Sequence, residues 1–169
     1  MTTLATCLWC NYTAQEQAEF YTSLLPDSRI TRTQRTPADT PSQKAGEVIV
    51  VEAELLGQKF IFLNGGPLFT DSEAVSFVIP TADQEETDRY WNAIVADGGE
   101  ESQCGWCKDK WGISWQITPN RLLELAFANP DPAAGRRAME AMMGMRKIDI
   151  AAIESAARGD AATEDEAAA

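Results

Sequence analysis

The sequence contains no histidine among its 169 residues. Histidine is the commonest general base and the commonest metal ligand, so its absence excludes serine–histidine and cysteine–histidine nucleophiles. No apolar run approaches the ~20 residues that cross a bilayer. The amino-terminal segment MTTLATCLWC shows neither a basic region nor a small-residue cleavage pattern. These absences predict a cytoplasmic protein whose chemistry would depend on carboxylates, thiols, tyrosine or a bound cofactor.

Positive charge is also scarce. The chain has 14 Lys and Arg against 26 Asp and Glu, a formal net charge of −12. Nucleic acids and anionic membrane surfaces are recognised through a basic footprint, so neither is expected as a partner. Part of the acidity lies at the carboxyl end, where the Ala-rich residues 159–169 are predicted to be a disordered tail. The 44% hydrophobic content of the whole chain predicts a soluble globular fold.

The four cysteines form two C-x-x-C pairs, in TCLWCN and QCGWCKD. A zinc site needs both sulfurs to converge on one ion, whereas residues three apart on a strand point to opposite faces. A thioredoxin-type pair needs a following helix, and KDKWGISW has no helical period. Cys7 and Cys107 are therefore interpreted as small apolar fillers, with redox and zinc roles as the alternatives. Cys104, just before Gly105, could edge a pocket.

Two segments repeat each other: TAQEQAEFYTSLLPDS (13–28) and TADQEETDRYWNAIVADGG (81–99). Each begins with Thr-Ala, carries an aromatic pair and follows a short β-rich run, and both have apolar residues at helical spacing. Thr13 and Glu16 match a capping box at the start of the first helix, and Gly98-Gly99 ends the second.

Strands follow each predicted helix. They are SRITRTQ, EVIVVEAEL and KFIFLN in the first half, then residues 100–102, CGWCKD and GISWQIT in the second. Gly57 can adopt the positive φ that a hairpin link between the second and third of these strands needs. Each half therefore predicts a βαβββ module.

The two modules, together with EFYTSLLPDSRI, LNGGPLF, AVSFVI and CGWCKDKWGISWQITP, resemble the vicinal oxygen chelate superfamily. This superfamily includes glyoxalase I, bleomycin and fosfomycin resistance proteins and extradiol dioxygenases. Within it, the sequence is similar to the PhnB-like branch, long named 3-demethylubiquinone 3-methyltransferase. The resemblance implies an α+β fold of two βαβββ modules, residues 1–66 and 67–119, with a helical C-terminal extension over residues 120–158. It also implies a homodimer.

The resemblance further implies that each sheet is half-open, with helices on its convex side and a ligand cavity on its concave side. Two modules would complete one cavity, commonly across a homodimer. Glyoxalase-type members hold a divalent metal there through four side chains, whose positions fall by eye on Thr6, Phe62, Ala74 and Gln116. Only Gln116 is a plausible ligand, and divalent metals need several N, O or S donors. No metal and no cofactor are therefore expected in this site.

Strand alternation extends the set of residues that would line the cavity. The candidates are Thr6, Leu8, Phe62, Asn64, Ser76, Cys104, Trp106, Ser114 and Gln116, while Trp115 and Ile117 should pack under the helix. Such an aromatic lining with a few polar groups is typical of small-molecule sites. The predicted function is binding of a small, partly apolar molecule. A metal-dependent lyase, isomerase or dioxygenase is the alternative, and a methyltransferase is a further one, although no Gly-rich loop for S-adenosylmethionine is present.

Three other features have simple interpretations. LNGGP is followed by neither a helix nor Lys-Ser/Thr, so it does not predict a phosphate-binding loop. Asp109, between two lysines, is interpreted as part of a solvated turn. The stripe that contains Met139, Met142 and Met143 is expected to pack on its own domain or on a dimer mate, with another partner surface as the alternative.

Overall fold

The structure is a computed structural model that describes residues 4–160, and the chain divides into two compact units, Met1–Asp71 and Ser72–Ala169. The first module was predicted to end at residue 66; the first unit extends to Asp71. Its elements are β1 (Thr6–Cys10), α1 (Ala14–Leu24), β2 (Arg29–Arg35), β3 (Val48–Leu55) and β4 (Gln58–Asn64). The strands form one sheet in the order β1-β4-β3-β2, with β1 and β4 parallel and the other pairs antiparallel.

The second unit repeats this topology. Its module consists of β5 (Ser76–Thr81), α2 (Gln84–Val95), a 3-10 turn (Ala96–Gly98), β6 (Glu100–Glu101), β7 (Trp106–Lys108) and β8 (Ser114–Pro119). The sheet order is β5-β8-β7-β6. The helical extension follows, with α3 (Asn120–Leu122), a π-helical turn (Leu123–Phe127), α4 (Pro132–Met143) and α5 (Ile150–Arg158). The predicted fold of two βαβββ modules with C-terminal helices is confirmed; most of the predicted tail, residues 161–169, lies outside the described residues.

The core of the first unit lies between α1 and one face of its sheet. Tyr21 of α1 stacks on Phe62 of β4 with ring centroids 5.8 Å apart, and both side chains are fully buried. Phe60, two residues earlier on β4, stacks on Phe62 from the same side. Since alternate strand residues share a face, this contact fixes which residues of β4 lie under the helix.

The amino terminus of α1 is capped by a side chain from the sheet. The Ala14 amide donates to Asn64 Oδ1 at 2.9 Å, while Asn64 Nδ2 donates to the Val48 carbonyl at 2.9 Å. Thr13 makes no capping bond: its φ of −110° and ψ of 12° depart from the extended backbone of an N-cap residue, and its hydroxyl accepts from Gln17 instead. The predicted Thr13–Glu16 capping box is therefore wrong.

The core of the second unit lies under α2, whose Tyr90, Trp91 and Ile94 are buried. Trp115 and Ile117 of β8 are also buried, and β8 packs against α2, as predicted. The helix begins with a reciprocal cap. The Glu86 amide donates to Asp83 Oδ1 at 2.9 Å, and the Ala82 amide donates to Glu86 Oε2 at 2.8 Å.

The C-terminal helices enclose a separate apolar cluster. Its buried members are Leu122, Ala138, Met142, Ile148, Ile153 and Ala157. The predicted methionine stripe divides here, because Met142 is buried in this cluster whereas Met139 and Met143 are exposed. Within residues 4–160, no helix is both long and apolar enough to cross a membrane.

Candidate functional site

The side of the second sheet that faces away from α2 gathers most of the polar candidates. Trp115 and Ile117 contact the helix side, so their strand neighbours point the other way. Strand pairing sets Val78 and Trp106 beside Gln116, and sets Ser76 and Lys108 beside Ser114. We call this surface the second open face; it comprises Ser76, Val78, Glu100, Trp106, Lys108, Ser114, Gln116 and Thr118.

A hydroxyl at the centre of this face is buried without a partner. Gln116 Nε2 donates to Ser76 Oγ at 2.8 Å, so these two side chains are hydrogen-bonded to each other. Ser114 is only 2% exposed, and its Oγ has no hydrogen-bond partner in the described part of the chain. Ser114 and the half-buried Trp106 line a cavity of about 110 Å³. Leaving a buried hydroxyl unsatisfied costs about 1–3 kcal/mol, so a polar atom in the cavity would be favoured.

Charged side chains surround the same cavity. Lys108 forms an ion pair with Glu73, and this hydrogen bond raises the pKa of Lys108 and holds the pKa of Glu73 below its usual value. Glu100 is the cross-strand neighbour of Lys108 and raises the pKa of Lys108 further. Glu101 also lines the cavity, although its carboxylate accepts from Trp91 Nε1 at 3.2 Å and forms an ion pair with Arg146. The cavity lining therefore contains three carboxylates and one ammonium.

The prediction for the first sheet is wrong by one residue. Phe62 stacks on Tyr21 and Asn64 caps α1, so both face the helix. Thr6 and Leu8 are the neighbours of Phe60 and Phe62 on the paired strand and therefore share that face. A shift of one residue moves every side chain of a strand to the other face. The outward-facing residues of β1 and β4 are Cys7, Trp9, Lys59, Ile61 and Leu63.

The nine candidates thus fall in three places. Ser76, Trp106, Ser114 and Gln116 lie together on the second open face, whereas Thr6, Leu8, Phe62 and Asn64 lie under α1. Cys104 does not line the cavity near Ser114. Its amide donates to the Met145 carbonyl at 2.8 Å, and it packs against the cluster of C-terminal helices. The sequence analysis did not predict Lys108 and Glu73 as site residues. Lys108 follows Trp106 by two positions on β7, so strand alternation already placed them on the same face.

The residues do not fit the divalent metal that glyoxalase-type relatives imply. On the outward face of β1 and β4, the only thiol is Cys7, beside the apolar Ile61 and Leu63. On β5 and β8 the second open face offers hydroxyls and the Gln116 amide but no carboxylate. Across residues 4–160, no group of three or more Cys, Asp or Glu side chains could hold a metal ion.

Cys7 and Cys10 lie on opposite faces of β1, as predicted for a strand, whereas Cys104 precedes β7 with a φ of +58°, so the predicted extended conformation does not hold there. Cys107 is a buried filler as predicted, but Cys7 is not. Cys7 is exposed while Cys10 is buried, and Cys107 is buried while Cys104 is partly exposed. Burial raises the pKa of the Cys10 thiol from 9.0 to about 12, with a smaller contribution from the Asp71 carboxylate. Burial raises the pKa of Cys107 equally, and Asp109 adds to the effect. Because the thiolate is the reactive form, these two cysteines are unsuited to redox chemistry.

Selective thiol modification follows from this arrangement. At pH 8 we expect iodoacetamide to label Cys7 in the folded protein and to leave Cys10 and Cys107 unlabelled until denaturant is added. The folded state also holds the Cys10 and Cys107 protons more tightly than the unfolded state does. This contribution to stability is complete below about pH 9 and is lost as the pH rises toward 12. Peptide mass spectrometry measures the labelling; Cys107 reacting as fast as Cys7 would contradict it.

The sequence suggested that Asp109 is part of a solvated turn, and this prediction is wrong. It is 3% exposed, and its Oδ1 accepts from the Trp111 amide at 2.9 Å and the Ile113 amide at 3.1 Å. Its Oδ2 accepts from Trp115 Nε1 at 2.8 Å. One buried carboxylate therefore holds the turn between β7 and β8 and fixes Trp115 beneath α2. This positions the neighbouring residues Ser114 and Gln116 on the second open face.

Comparison with known proteins identifies the family. The family model for 3-demethylubiquinone-9 3-methyltransferase matches residues 2–118. No curated protein sequence matches the chain. Among solved structures, a Bacillus cereus PhnB protein, described as a candidate 3-demethylubiquinone-9 3-methyltransferase, is 29% identical with a TM-score of 0.62, over 70% of this chain and 99% of its own.

Two further structures share less sequence. Protein PA1353 from Pseudomonas aeruginosa is 14% identical with a TM-score of 0.53, over 70% of this chain and 98% of its own, which shows likeness of fold alone. The fosfomycin resistance protein FosX from Listeria monocytogenes is 12% identical with a TM-score of 0.48, over 71% of this chain and 93% of its own. On the match to the family model, the chain belongs to the 3-demethylubiquinone-9 3-methyltransferase family, and it is similar to the PhnB protein of B. cereus.

Proposed function

We propose that the second open face binds a small, partly apolar molecule without a metal ion. The observation that carries this proposal is the buried, unpartnered Ser114 hydroxyl in a cavity whose wall is Trp106. Polar groups that converge beside an aromatic surface are what small-molecule sites use to orient a ligand. A ligand hydrogen-bonding group at Ser114 would remove the cost of its unsatisfied hydroxyl.

The size of the cavity indicates how a ligand would lie. About 110 Å³ accommodates one end of a molecule, since complete small-molecule pockets enclose roughly 300–1,000 Å³. The remainder would extend over Trp106 and Val78, and Val78 is 54% exposed although it is apolar. The ligand would therefore have a polar end in the cavity and an apolar body on the sheet.

Wider grooves occur elsewhere, but the residues that line them are less suited to a small, partly apolar ligand. A groove of about 700 Å³ near the start of α2 is lined largely by charged side chains that already pair, such as Lys147 with Asp88. A groove of about 650 Å³ in the first unit contains Gln43, whose Oε1 has no partner among the described residues. Among the described residues that line this groove, Tyr12 is the one aromatic residue, and most of the others are polar. Within residues 4–160, only the second open face combines an aromatic wall with a buried, unpartnered hydroxyl.

Removal of the aromatic wall tests the proposal. Ligand-observed NMR screening of small aromatic and aliphatic fragments should give hits whose affinity falls at least tenfold in Trp106→Ala, because ~1.5 kcal/mol or more of apolar contact is lost. Trp111→Ala is the matched control, since Trp111 lies in the turn after β7 and stacks with Lys110, and it should leave the affinities unchanged. Hits that bind both variants equally, or no hits at all, would contradict the proposal.

We also propose that the protein acts as a cytoplasmic homodimer. An apolar groove of about 640 Å³ runs along α4, where Phe127 is 61% exposed and Met143 is 54% exposed. Arg136 and Glu140 at the same groove have opposite charges, so two copies related by a twofold axis could pair them reciprocally. The exposed, unpaired Cys7 is compatible with a reducing compartment.

Sedimentation tests the dimer. The wild-type chain should sediment as a dimer at micromolar concentration, and Met143→Glu should shift it to a monomer because a carboxylate would be buried in the apolar interface. Leu68→Glu introduces the same charge at another exposed apolar residue, 73% exposed, and should leave the dimer intact. A wild-type monomer, or dissociation by Leu68→Glu alone, would argue against this surface.

A further inference from the structure

Resting on the binding function proposed above, we infer that the cavity at Ser114 receives the ammonium end of a small primary amine. Lys108 is committed to its ion pair with Glu73. Glu100, its cross-strand neighbour on the same face, forms no ion pair within the described part of the chain. Glu101, the third carboxylate of the lining, is paired with Arg146, so Glu100 is the carboxylate left without an ion pair among the described residues of the cavity.

The polar atoms of the cavity match an ammonium group. An ammonium has three hydrogen-bond donors and no acceptor. The Glu100 carboxylate and the unpartnered Ser114 Oγ can both accept a hydrogen bond from it. Ser114 is only 2% exposed, so its hydroxyl is available to the cavity and hardly to bulk water. The half-buried Trp106 ring adds a surface that attracts cations. Two acceptors and one aromatic face thus surround the same small volume.

An anionic ligand would meet the opposite situation. A carboxylate that reached Lys108 would lie beside both Glu73 and Glu100. Like charges in such proximity disfavour binding. The net charge of −12 on the whole chain attracts cations and repels anions over a longer range. The charge count therefore favours an amine over an acid.

The apolar body of the amine follows from the surface next to the cavity. Because the cavity measures about 110 Å³, it holds the head group alone. The body would lie on Trp106 and on Val78, which pairs with Gln116 at the neighbouring position of β5 and β8. The ligand class is thus a short arylalkyl or alkyl primary amine.

Three probes of nearly equal shape separate the charge from the skeleton. Phenethylamine, 2-phenylethanol and 3-phenylpropionate are titrated by calorimetry at pH 7 and low ionic strength into reduced, full-length protein. We expect the amine to bind at least tenfold more tightly than the alcohol and the acid to bind most weakly. Raising the salt concentration should reduce the affinity of the amine and leave that of the alcohol unchanged.

Matched variants locate the effect. Glu100→Gln should weaken the amine about fivefold and leave the alcohol unchanged, whereas Glu85→Gln, which removes the same charge from an exposed residue of α2, should change neither. Ser114→Ala should weaken both the amine and the alcohol. Circular dichroism and thermal unfolding confirm that each variant is folded before it is titrated.

The outcomes distinguish this inference from the binding function on which it rests. Equal affinities of the amine and the alcohol, tighter binding of the acid, or equal effects of Glu100→Gln and Glu85→Gln would each overturn the inference. If other fragments bind through Trp106 while phenethylamine does not, the inference fails and the binding function stands. If no fragment binds in a way that depends on Trp106, the binding function itself fails.

Discussion

We expect Asp109→Asn to lower the free energy of unfolding by about 3 kcal/mol, and the midpoint of thermal unfolding by roughly 10 °C. The Asp109 carboxylate is buried and accepts hydrogen bonds from the Trp111 amide, the Ile113 amide and Trp115 Nε1. An asparagine amide can replace only one of the two acceptor oxygens. Its NH₂ group would then face a donor, either the indole of Trp115 or the amides of the turn.

Asp97→Asn is the matched control for this substitution. Asp97 is exposed and pairs with Lys110 at 3.2 Å on the surface, where such pairs contribute little. Its replacement should change the free energy of unfolding by less than about 0.5 kcal/mol. Urea unfolding of both variants measures the difference. Equal midpoints for Asp109→Asn and the wild type would show that the buried carboxylate does not hold the turn.

A similar loss is expected for Gly99→Ala, which should destabilise the protein by about 3 kcal/mol. A Cβ at Gly99 would lie 2.3 Å from the Ile94 carbonyl oxygen and 2.7 Å from the Lys108 carbonyl oxygen. Both contacts are with backbone atoms, so no side-chain rotation can relieve them. The close approach of α2 and β7 at this point requires a residue without a Cβ.

Gly144→Ala provides the comparison, because a Cβ there would meet only the Ala141 carbonyl at 3.5 Å, an ordinary contact. Both glycines have negative φ values, so neither substitution forces alanine into the left-handed region. Gly144→Ala should therefore change stability by about 0.5 kcal/mol or less. Comparable unfolding midpoints for the two variants would contradict the packing at Gly99.

The fold could be predicted because the sequence contains a repeat. Two helical segments with the same opening residues, each followed by strands, indicated the βαβββ topology that both sheets adopt. The turn at Gly57 was also predictable, and Gly57 has a φ of +81° there. Local patterns of this kind depend on a few neighbouring residues, which a sequence displays directly.

It was harder to predict which face of each strand is buried. On β8 the buried Trp115 and Ile117 alternate with polar residues, so alternation put Ser114 and Gln116 on the side of the sheet away from α2. On β4 the run Phe60–Leu63 is apolar at every position, and alternation alone does not show which face is buried. The exposed Lys59, which shares a face with Ile61, was the one local indication that Phe60 and Phe62 lie inside.

The details that shape the candidate site come from tertiary contacts. Asp109 stands between two lysines in the sequence, which resembles a solvated turn, and its partner Trp115 becomes apparent only once the hairpin closes. The unpartnered Ser114 hydroxyl is likewise a product of burial by neighbouring strands. Neither property has a signature in the local sequence, because each depends on which atoms remain near the group after folding.

The most direct measurement of the central claim is a ¹H–¹⁵N correlation spectrum of the labelled protein during titration with the tightest fragment from the screen. Spectra of Trp106→Ala and Trp111→Ala assign the two indole N–H signals. If the second open face binds the fragment, the largest shifts will be those of the Trp106 indole and the Gln116 side-chain amide, with Trp111 unchanged. Shifts confined to Tyr12 and Gln15, or to Met139 and Met143, with Trp106 unmoved would contradict the account.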